Sequence, residues 1–232
     1  MTISSRDKVA KAKEAAGQQA AQWVQEGMLV GIGTGSTAAF FIDHLAKRVQ
    51  GGLKIQAVAT SIESEEHARR VGIEILSIDE ISRIDLTVDG ADEIDLKKRM
   101  IKGGGGALLR EKIVASNSDE MVVIVDDEKC HDELGGVKLP VEVAPFGAQL
   151  TLKKITRLGL QANLRENEEG SLYLTDNHHY IIDIEPSDSF AKAEELEERL
   201  KAIPGVLETG FFIQMAGRVI VGHADGTVEI RT

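Results

Sequence analysis

Short apolar runs alternate with helical patterns through the first 125 residues, and this alternation restricts the possible folds more than any other feature. Apolar residues at three- and four-residue spacings predict helices at about residues 7–26, 38–49 and 62–71. Short, mostly β-branched runs predict strands at residues 28–32, 54–59, 73–76, 84–88 and 121–125. Strands and helices that alternate at this spacing form right-handed βαβ units, so we predict an α/β fold with a mostly parallel sheet.

The pattern changes after Pro140. The later elements are predicted as strand 139–144, helix 146–158, strand 161–165, extended segment 172–184 and helix 190–203. The order β-α-β-β-α-β resembles a small ferredoxin-like α+β unit. We therefore predict a ferredoxin-like domain at residues 137–208, inserted into a Rossmann-like domain made of residues 1–136 and 209–232.

The strand at residues 28–32 runs into a loop of glycine and hydroxyl residues, GTGST (residues 33–37, here the hydroxyl loop). A strand, such a loop and a helix place backbone N–H groups and the positive end of a helix dipole against an anion. The sixth position of a dinucleotide fingerprint is Ser36 rather than glycine, and the Gly-Lys pair of a Walker A loop is missing. We predict a site for a small phosphate monoester; the alternative is a plain turn in which Ser36 or Thr37 caps the helix.

The strand at residues 84–88 ends at DGADEID (residues 89–95, here the acidic segment), which we predict to be a loop. It places four carboxylates within seven residues: Asp89, Asp92, Glu93 and Asp95. Such crowding is unfavourable unless cations, ligand hydroxyls or water compensate the charges. The segment therefore predicts either part of a polar binding site or a solvated loop.

Lys102 precedes four glycines, and this KGGGG segment (residues 102–106, here the glycine loop) opens onto a predicted helix. Glycines let backbone N–H groups approach a ligand closely. Glu111 lies on that helix about a turn and a half beyond the glycines, where its carboxylate could face the space bordered by Asp89, Asp92 and Lys102. One carboxylate to move a proton, a lysine for an oxyanion and aspartates for hydroxyls suit proton transfer on a sugar. The alternative is a surface helix residue after a flexible linker.

Composition and charge disfavour several classes of partner. A net charge of −11 argues against a nucleic-acid partner, because phosphate neutralisation needs a basic surface. One cysteine, Cys130, excludes an intramolecular disulfide and fits a reducing compartment. The N-terminal segment has no long apolar core, so we expect neither a signal peptide nor a membrane partner, and a cytoplasmic location.

Asp126, Asp127 and Lys129 follow the strand at residues 121–125 and are candidates for the same crevice at the strand ends.

Three motifs together resemble the A type of ribose-5-phosphate isomerase: GIGTGSTA at residues 31–38, DGADEID at residues 89–95 and KGGGGALLREK at residues 102–112. The resemblance continues through TSIESEEHA, VDDEKCHDELG and LPVEVAPFG, and so covers nearly the whole chain. It implies an enzyme that interconverts ribose 5-phosphate and ribulose 5-phosphate without a metal or a cofactor, in the non-oxidative pentose phosphate pathway. It also implies a homodimer or a homotetramer.

Matched by position, the resemblance implies a role for each motif. Glu111 would be the general base, Lys102 would stabilise an oxyanion, and Asp89 and Asp92 would hold sugar hydroxyls and assist ring opening. Lys13 matches another lysine near the phosphate, although an ordinary surface lysine is the alternative. The implied substrate-binding residues are Thr34, Gly35, Ser36, Thr37, Asp89, Gly90, Ala91, Asp92, Lys102, Gly103, Gly104, Gly105 and Lys129. One position departs from the family pattern, because Gly106 stands where an alanine is common.

Two other classes of function are compatible with single motifs. A sugar-phosphate sensor related to bacterial regulators should carry a basic DNA-binding module, for which this chain has neither the length nor the charge. A nicotinamide-dependent oxidoreductase is disfavoured because the dinucleotide fingerprint fails. The combination of Asp89, Asp92, Lys102 and Glu111 favours an enzyme.

Overall fold

The structure is a computed structural model that describes residues 4–232, so the first three residues of the N-terminal segment lie outside it. The chain divides into two compact units. The first unit comprises the residues up to Ala91, Arg110–Cys130 and Met215–Thr232, and the second comprises Asp92–Leu109 and His131–Gln214. These units describe where contacts are dense, and the domain boundaries predicted from the sequence stay a prediction.

Helices and strands alternate through most of the chain. The described α-helices are α1 (Ser5–Trp23), α2 (Ser36–Gln50), α3 (Ile62–Arg70), α4 (Leu108–Ser116), α5 (Ala148–Thr156) and α6 (Ala193–Lys201). The described strands are β1 (Leu29–Ile32), β2 (Gln56–Ala59), β3 (Leu86–Asp89), β4 (Glu93–Asp95), β5 (Met100–Ile101), β6 (Met121–Asp126), β7 (Cys130–His131), β8 (Leu139–Val143), β9 (Ala162–Leu164), β10 (Tyr180–Ile184), β11 (Val206–Thr209), β12 (Phe211–Phe212), β13 (Val219–Gly222) and β14 (Val228–Arg231).

The first unit is built on a six-stranded sheet in the order β14-β13-β6-β3-β1-β2. All its neighbouring strands pair in parallel except β14, which is antiparallel to β13. Every residue of β6 is buried, as expected for a strand that is covered on both faces. The strand order reverses direction at β1, which lies between β2 and β3. In parallel sheets, ligands bind outside the carboxyl ends of the strands at such a reversal.

Helix α1 packs closely on α2 because its buried face carries small residues. Ala12, Ala16 and Ala20 are buried, and a Cβ on Gly17 would lie 2.7 Å from the backbone nitrogen of Phe41. The helix begins at a serine cap, since the Ser4 hydroxyl accepts a hydrogen bond from the N–H of Asp7. The mostly parallel α/β architecture predicted from the sequence is confirmed.

The second unit contains the predicted ferredoxin-like arrangement. Strands β8, β9, β10 and β11 form an antiparallel sheet in the order β11-β8-β10-β9, connected by α5 and α6 in the order β-α-β-β-α-β. One hydrophobic cluster joins this sheet to the helices and includes Val141, Ile182, Ile155, Leu196 and Leu200.

In two places the sequence predicts four or more consecutive extended residues where the structure has no strand. Residues 73–76 form no strand, only a single parallel bridge between Ile75 and Ala57. The extended segment predicted at residues 172–184 is a strand only from Tyr180 onward, because a turn closed by the N–H of Thr175 and the carbonyl of His179 precedes it.

The prediction that the whole acidic segment is a loop is wrong. Its second half is strand β4, which pairs with β5 in a short antiparallel hairpin. Glu93 is fully buried and accepts hydrogen bonds from the N–H groups of Gly135 and Gly136 at 3.0 and 2.9 Å. Asp95 forms a buried ion pair with Arg99, at 2.7 Å from its Nε atom. These two carboxylates are compensated by the protein itself, and only Asp89 and Asp92 remain as candidates for binding a ligand.

Candidate active site

The hydroxyl loop lies at the carboxyl end of β1, in the first unit. The Thr34 hydroxyl lies 2.7 Å from the Thr60 hydroxyl and donates to the Ser61 hydroxyl at 2.9 Å. The Ser64 hydroxyl donates to the Gly33 carbonyl at 2.7 Å. Thr60 and Ser61 directly follow β2, so the hydroxyl network joins the ends of two neighbouring strands. The network fixes the loop backbone before α2 begins.

Asp89 ends β3 beside the same loop and is fully buried. Its Oδ1 atom accepts hydrogen bonds from the N–H of Thr34 at 3.1 Å and of Gly90 at 2.7 Å. Gly33 passes so close that a Cβ there would lie 2.1 Å from Oδ1 and 2.6 Å from the Asp89 Cα. The close approach therefore requires glycine at position 33, and it brings Asp89, Thr34 and Gly90 together at the strand reversal.

The hydroxyl loop ends at the N-terminus of α2. Gly35 precedes the helix with φ 98° and ψ 180°, a conformation open essentially to glycine alone, and makes no side-chain cap. Ser36 is exposed, Thr37 is buried, and the Lys13 Nζ atom donates to the Ser36 hydroxyl at 3.0 Å. A helix N-terminus with a lysine beside it is suited to bind an anion. The sequence alone left the role of Lys13 open, and the structure places it at this loop.

In the second unit, the β4–β5 hairpin brings Asp92 to the glycine loop. The N–H of Asp92 donates to the Ile101 carbonyl at 2.8 Å, and the Asp92 Oδ2 atom accepts from the N–H of Gly104 at 2.7 Å. Asp92 and the glycine loop are therefore neighbours because a hairpin closes between them. Asp92 and the glycine loop were expected in one site from their sequence motifs, but the hairpin was not predicted.

Lys102 begins the glycine loop and is almost fully buried, with 2% of its surface exposed. Its N–H donates to the Gly210 carbonyl at 2.9 Å, and its Nζ atom lies 5.3 Å from the centre of the Phe212 ring. The ring face attracts the cation, which offsets part of the cost of burying it. Gly103 follows with φ +94°, so the chain turns sharply after the lysine.

Glu111 lies in the first turn of α4 and is 4% exposed, so it is not the surface residue that the alternative interpretation required. Asp126 ends β6 and is also buried, and neither of its carboxylate oxygens is hydrogen-bonded among residues 4–232. Asp127 is exposed and lies 3.0 Å from His223. Lys129 is half-buried in the short helical turn that follows β6.

Cys130 is unsuited to act as a nucleophile. Burial raises the pKa of its thiol above the usual value, whereas reactive cysteines have a lowered pKa.

In the described part of the chain no group of three or more His, Cys, Asp or Glu residues is arranged to hold a metal ion. None of the helices between residues 4 and 232 is both long and apolar enough to cross a membrane.

Three residues that organise the glycine loop were not predicted. Arg165 and Tyr173 donate hydrogen bonds to the carbonyls of this loop, and Asp183 holds Arg165. Arg165 and Tyr173 lie more than 60 positions along the chain from the glycines that they contact, and neither belongs to a motif. The only related signal in the sequence was Gly106, the position that departs from the family pattern.

Comparison with known proteins identifies the family. The model of the family described as ribose 5-phosphate isomerase A (phosphoriboisomerase A) matches residues 56–226. The chain belongs to this family. An isomerase of the family from Protochlamydia amoebophila is 48% identical over 233 residues, covering 99% of both chains. One from Bacillus cereus is 49% identical and covers 94% of this chain and 99% of its own length.

Solved structures of family members share the fold. The ribose 5-phosphate isomerase from Plasmodium falciparum superposes with a TM-score of 0.92 at 33% identity, covering 96% of this chain and 98% of the other. A D-ribose-5-phosphate isomerase in complex with phospho-erythronic acid gives a TM-score of 0.90 at 34% identity over 96% and 98% of the two chains. The ribose-5-phosphate isomerase A resemblance noted in the sequence motifs is therefore confirmed.

Proposed function

We propose that the protein interconverts D-ribose 5-phosphate and D-ribulose 5-phosphate by proton transfer through an enediolate, without a metal ion. The observation that carries this proposal is the burial of Glu111 in the first turn of α4, directly after the glycine loop. A glutamate with no chemical role is seldom buried, because burial penalises the charge of its carboxylate. The choice of ribose 5-phosphate as the substrate is inferred from membership of the isomerase family.

In the proposed reaction Glu111 removes the proton from C2 of the open-chain aldose. The electrons form a C1–C2 double bond, and the carbonyl oxygen becomes an oxyanion. Protonation of C1 by Glu111 and transfer of the O2 proton to O1 then give the ketose. No electron leaves the substrate and no atom is added, so the step needs no redox cofactor. A fixed base and a fixed cation are the two groups that this reaction requires.

Lys102 is assigned to the oxyanion. It is buried with its ammonium over an aromatic ring, and a cation in such a site acts more strongly on a nearby negative charge than one in water. Asp89 and Asp92 are assigned to sugar hydroxyls and to ring opening. Each accepts a backbone N–H through one of its oxygen atoms, which fixes the orientation of the carboxylate.

The phosphate is assigned to the start of α2. The positive φ of Gly35 turns the chain into the helix, and Lys13 is bonded to Ser36 at the same place. The substrate-binding set remains the one implied by the resemblance: Thr34, Gly35, Ser36, Thr37, Asp89, Gly90, Ala91, Asp92, Lys102, Gly103, Gly104, Gly105 and Lys129. We further propose a cytoplasmic homodimer or homotetramer that acts in the non-oxidative pentose phosphate pathway.

The test is turnover of ribose 5-phosphate by the purified chain in EDTA, with Glu111→Gln compared in the same assay. We expect the parent to be active and Glu111→Gln to lose at least about a hundredfold in kcat, the lower end of what a positioned general base contributes, while binding the sugar phosphate. Glu63→Gln is the matched control, because Glu63 is an exposed glutamate in the first turn of α3.

Three outcomes of this assay would contradict parts of the proposal. Near-normal turnover by Glu111→Gln would contradict the assignment of Glu111 as the general base. Loss of parent activity in EDTA, restored by added metal, would remove the metal-independent mechanism. An inactive parent that still binds ribose 5-phosphate would favour the sensor over the enzyme. The oligomeric state follows from light scattering of the same preparation, where a monomer would contradict the proposal.

A further inference from the structure

The carbonyl side of the glycine loop is held by three residues of the same unit, Arg165, Tyr173 and Asp183 (here the Arg165 cluster). The Arg165 Nη1 atom donates to the Gly104 carbonyl at 2.9 Å and approaches the Gly103 carbonyl at 3.5 Å. The Tyr173 hydroxyl donates to the Gly105 carbonyl at 3.0 Å. The carbonyls of three consecutive glycines therefore face one cluster.

Asp183 fixes the orientation of the guanidinium. Its two carboxylate oxygens accept from Nε and Nη2 of Arg165 at 2.8 and 2.5 Å, a bidentate pair that leaves Nη1 directed at the loop. The side chains of Arg165 and Asp183 are only 15% and 14% exposed. The Tyr173 ring centre lies 5.6 Å from the guanidinium carbon. A lysine could not reproduce this geometry, because it lacks the planar fork.

Gly106 provides the space that Tyr173 occupies. A Cβ at this position would lie 2.4 Å from the Tyr173 hydroxyl oxygen, and the backbone has φ +86°. Gly106 is also the position where the chain departs from the family pattern. The contact between Tyr173 and the loop therefore depends on the absence of a side chain at Gly106.

Holding these carbonyls determines where the N–H groups point. In a planar trans peptide the C=O of one residue and the N–H of the next point to opposite sides. The Gly103 carbonyl faces Arg165, and the N–H of Gly104 correspondingly donates to Asp92 at 2.7 Å on the other side. The Gly104 carbonyl faces the guanidinium as well, so the N–H of Gly105 is turned away from Arg165. A cation on the carbonyl also polarises the peptide and makes that N–H a stronger donor.

We propose that Arg165 is a positioning residue that directs the N–H of Gly105 toward the substrate, with Asp183 orienting the guanidinium and Tyr173 holding the next carbonyl. The proposal rests on the assignment of the glycine loop to substrate binding under the proposed function. Arg165 itself does not touch the substrate. Its effect is transmitted through the peptide group between Gly104 and Gly105.

The test compares Arg165→Met with Lys138→Met, at a temperature well below both unfolding midpoints. Lys138 is the matched control because it also forms an ion pair in the same unit, with Glu185 at 2.9 Å, and that pair does not involve the glycine loop. We expect Arg165→Met to lose about tenfold to a hundredfold in kcat/KM, including a rise in KM, because a misplaced donor weakens binding of the substrate and more so of the transition state. Arg165→Lys should remain impaired.

A spectroscopic readout separates positioning from general loss of structure. In protein labelled with 15N-glycine, Arg165→Met should shift the amide resonance of Gly105 and reduce the change in this resonance when ribose 5-phosphate is added. The amide resonances of glycines in the first unit, and their response to ribose 5-phosphate, should stay as in the parent. Activity of Arg165→Met within about twofold of Lys138→Met, or an unmoved Gly105 resonance, would overturn the inference. An inactive parent would instead overturn the proposed function, so the two failures are distinguishable.

Discussion

The hydroxyl loop and the glycine loop are both rich in glycine and both lie next to an aspartate, yet they are stabilised by different kinds of partner. The hydroxyl loop is held by residues at or directly after the ends of strands in one parallel sheet: Asp89 at the end of β3, and Thr60 and Ser61 after β2. The glycine loop is held by charged and aromatic side chains from an irregular segment, Arg165 and Tyr173, in addition to Asp92.

These two kinds of partner should respond differently to mutation. In the hydroxyl loop the partners are backbone and short side chains packed at close distance, so extra volume cannot be absorbed. In the glycine loop Arg165 and Tyr173 reach it through long side chains, which can move aside at smaller cost. We therefore expect steric changes to be more damaging in the first loop than in the second.

Among the changes within the two loops, the largest effect is expected from Gly33→Ala. The new Cβ would lie 2.1 Å from Asp89 Oδ1 and 2.6 Å from the Asp89 Cα, and the latter cannot be relieved by rotating a side chain. We expect the free energy of unfolding to fall by about 1–3 kcal/mol and kcat/KM to fall about a hundredfold, because both Asp89 and Thr34 are displaced. Chemical denaturation and steady-state kinetics measure the two quantities.

Gly90→Ala is the matched control for stability in the same region. Its Cβ would meet only the Ile124 carbonyl oxygen, at 3.7 Å, an ordinary contact. Equal destabilisation by the two substitutions would contradict the idea that close packing against Asp89 makes glycine necessary at position 33.

A smaller effect is expected from Gly106→Ala in the glycine loop. The positive φ costs about 1–2 kcal/mol for a residue with a Cβ, and the methyl group displaces the Tyr173 hydroxyl from the Gly105 carbonyl. We expect a loss of about 1–2 kcal/mol in the free energy of unfolding and a rise in KM of about threefold to tenfold, since Arg165 still holds the Gly104 carbonyl.

Tyr173→Phe provides the second arm of this experiment, because it removes the hydroxyl without adding strain. If Gly106→Ala already breaks the hydrogen bond from Tyr173, adding Tyr173→Phe should raise KM no further, so the effects on KM should be non-additive. Additive effects would show that Tyr173 keeps its contact in the Gly106→Ala variant and that the space at Gly106 does not determine it.

The two loops also differ in how far the sequence could predict them. Hydrophobic periodicity predicted the parallel sheet, and the rule that ligands bind at the carboxyl ends of parallel strands placed Thr34 and Asp89 at one edge. The ferredoxin-like order was also predicted, since α5, α6 and their strands have clear patterns. The sequence therefore predicts those parts of the fold and of the site that depend on regular helices and strands.

The remainder depended on short elements and on distant partners. Strands β4 and β5 have three and two residues, too few for a periodicity to be recognised, so the sequence pattern predicted a loop at Glu93 and Asp95. Their compensation comes from Gly135, Gly136 and Arg99, and only the position of Arg99 four residues after Asp95 was a local hint. The Arg165 cluster has no signal in the sequence apart from Gly106, because its role arises only when residues far apart in the chain meet.

The smallest effect is expected from Thr60→Val in the hydroxyl network. The substitution keeps the shape of a fully buried side chain and removes the hydroxyl that lies 2.7 Å from that of Thr34 and also donates to the Ile32 carbonyl at 3.2 Å. Thr34 retains its hydrogen bond to Ser61, so we expect KM to rise by only about twofold to threefold and the free energy of unfolding to fall by about 1 kcal/mol.

Thr87→Val is the control for this last prediction, because Thr87 is a fully buried threonine of the same sheet whose hydroxyl contacts Ser118 rather than the hydroxyl loop. Both variants should lose similar stability, but only Thr60→Val should change KM. A similar rise in KM for both would mean that the sheet as a whole, rather than the hydroxyl network, determines the position of Thr34. A KM for Thr60→Val equal to that of the parent would mean that Asp89 and Ser61 are sufficient to hold the loop.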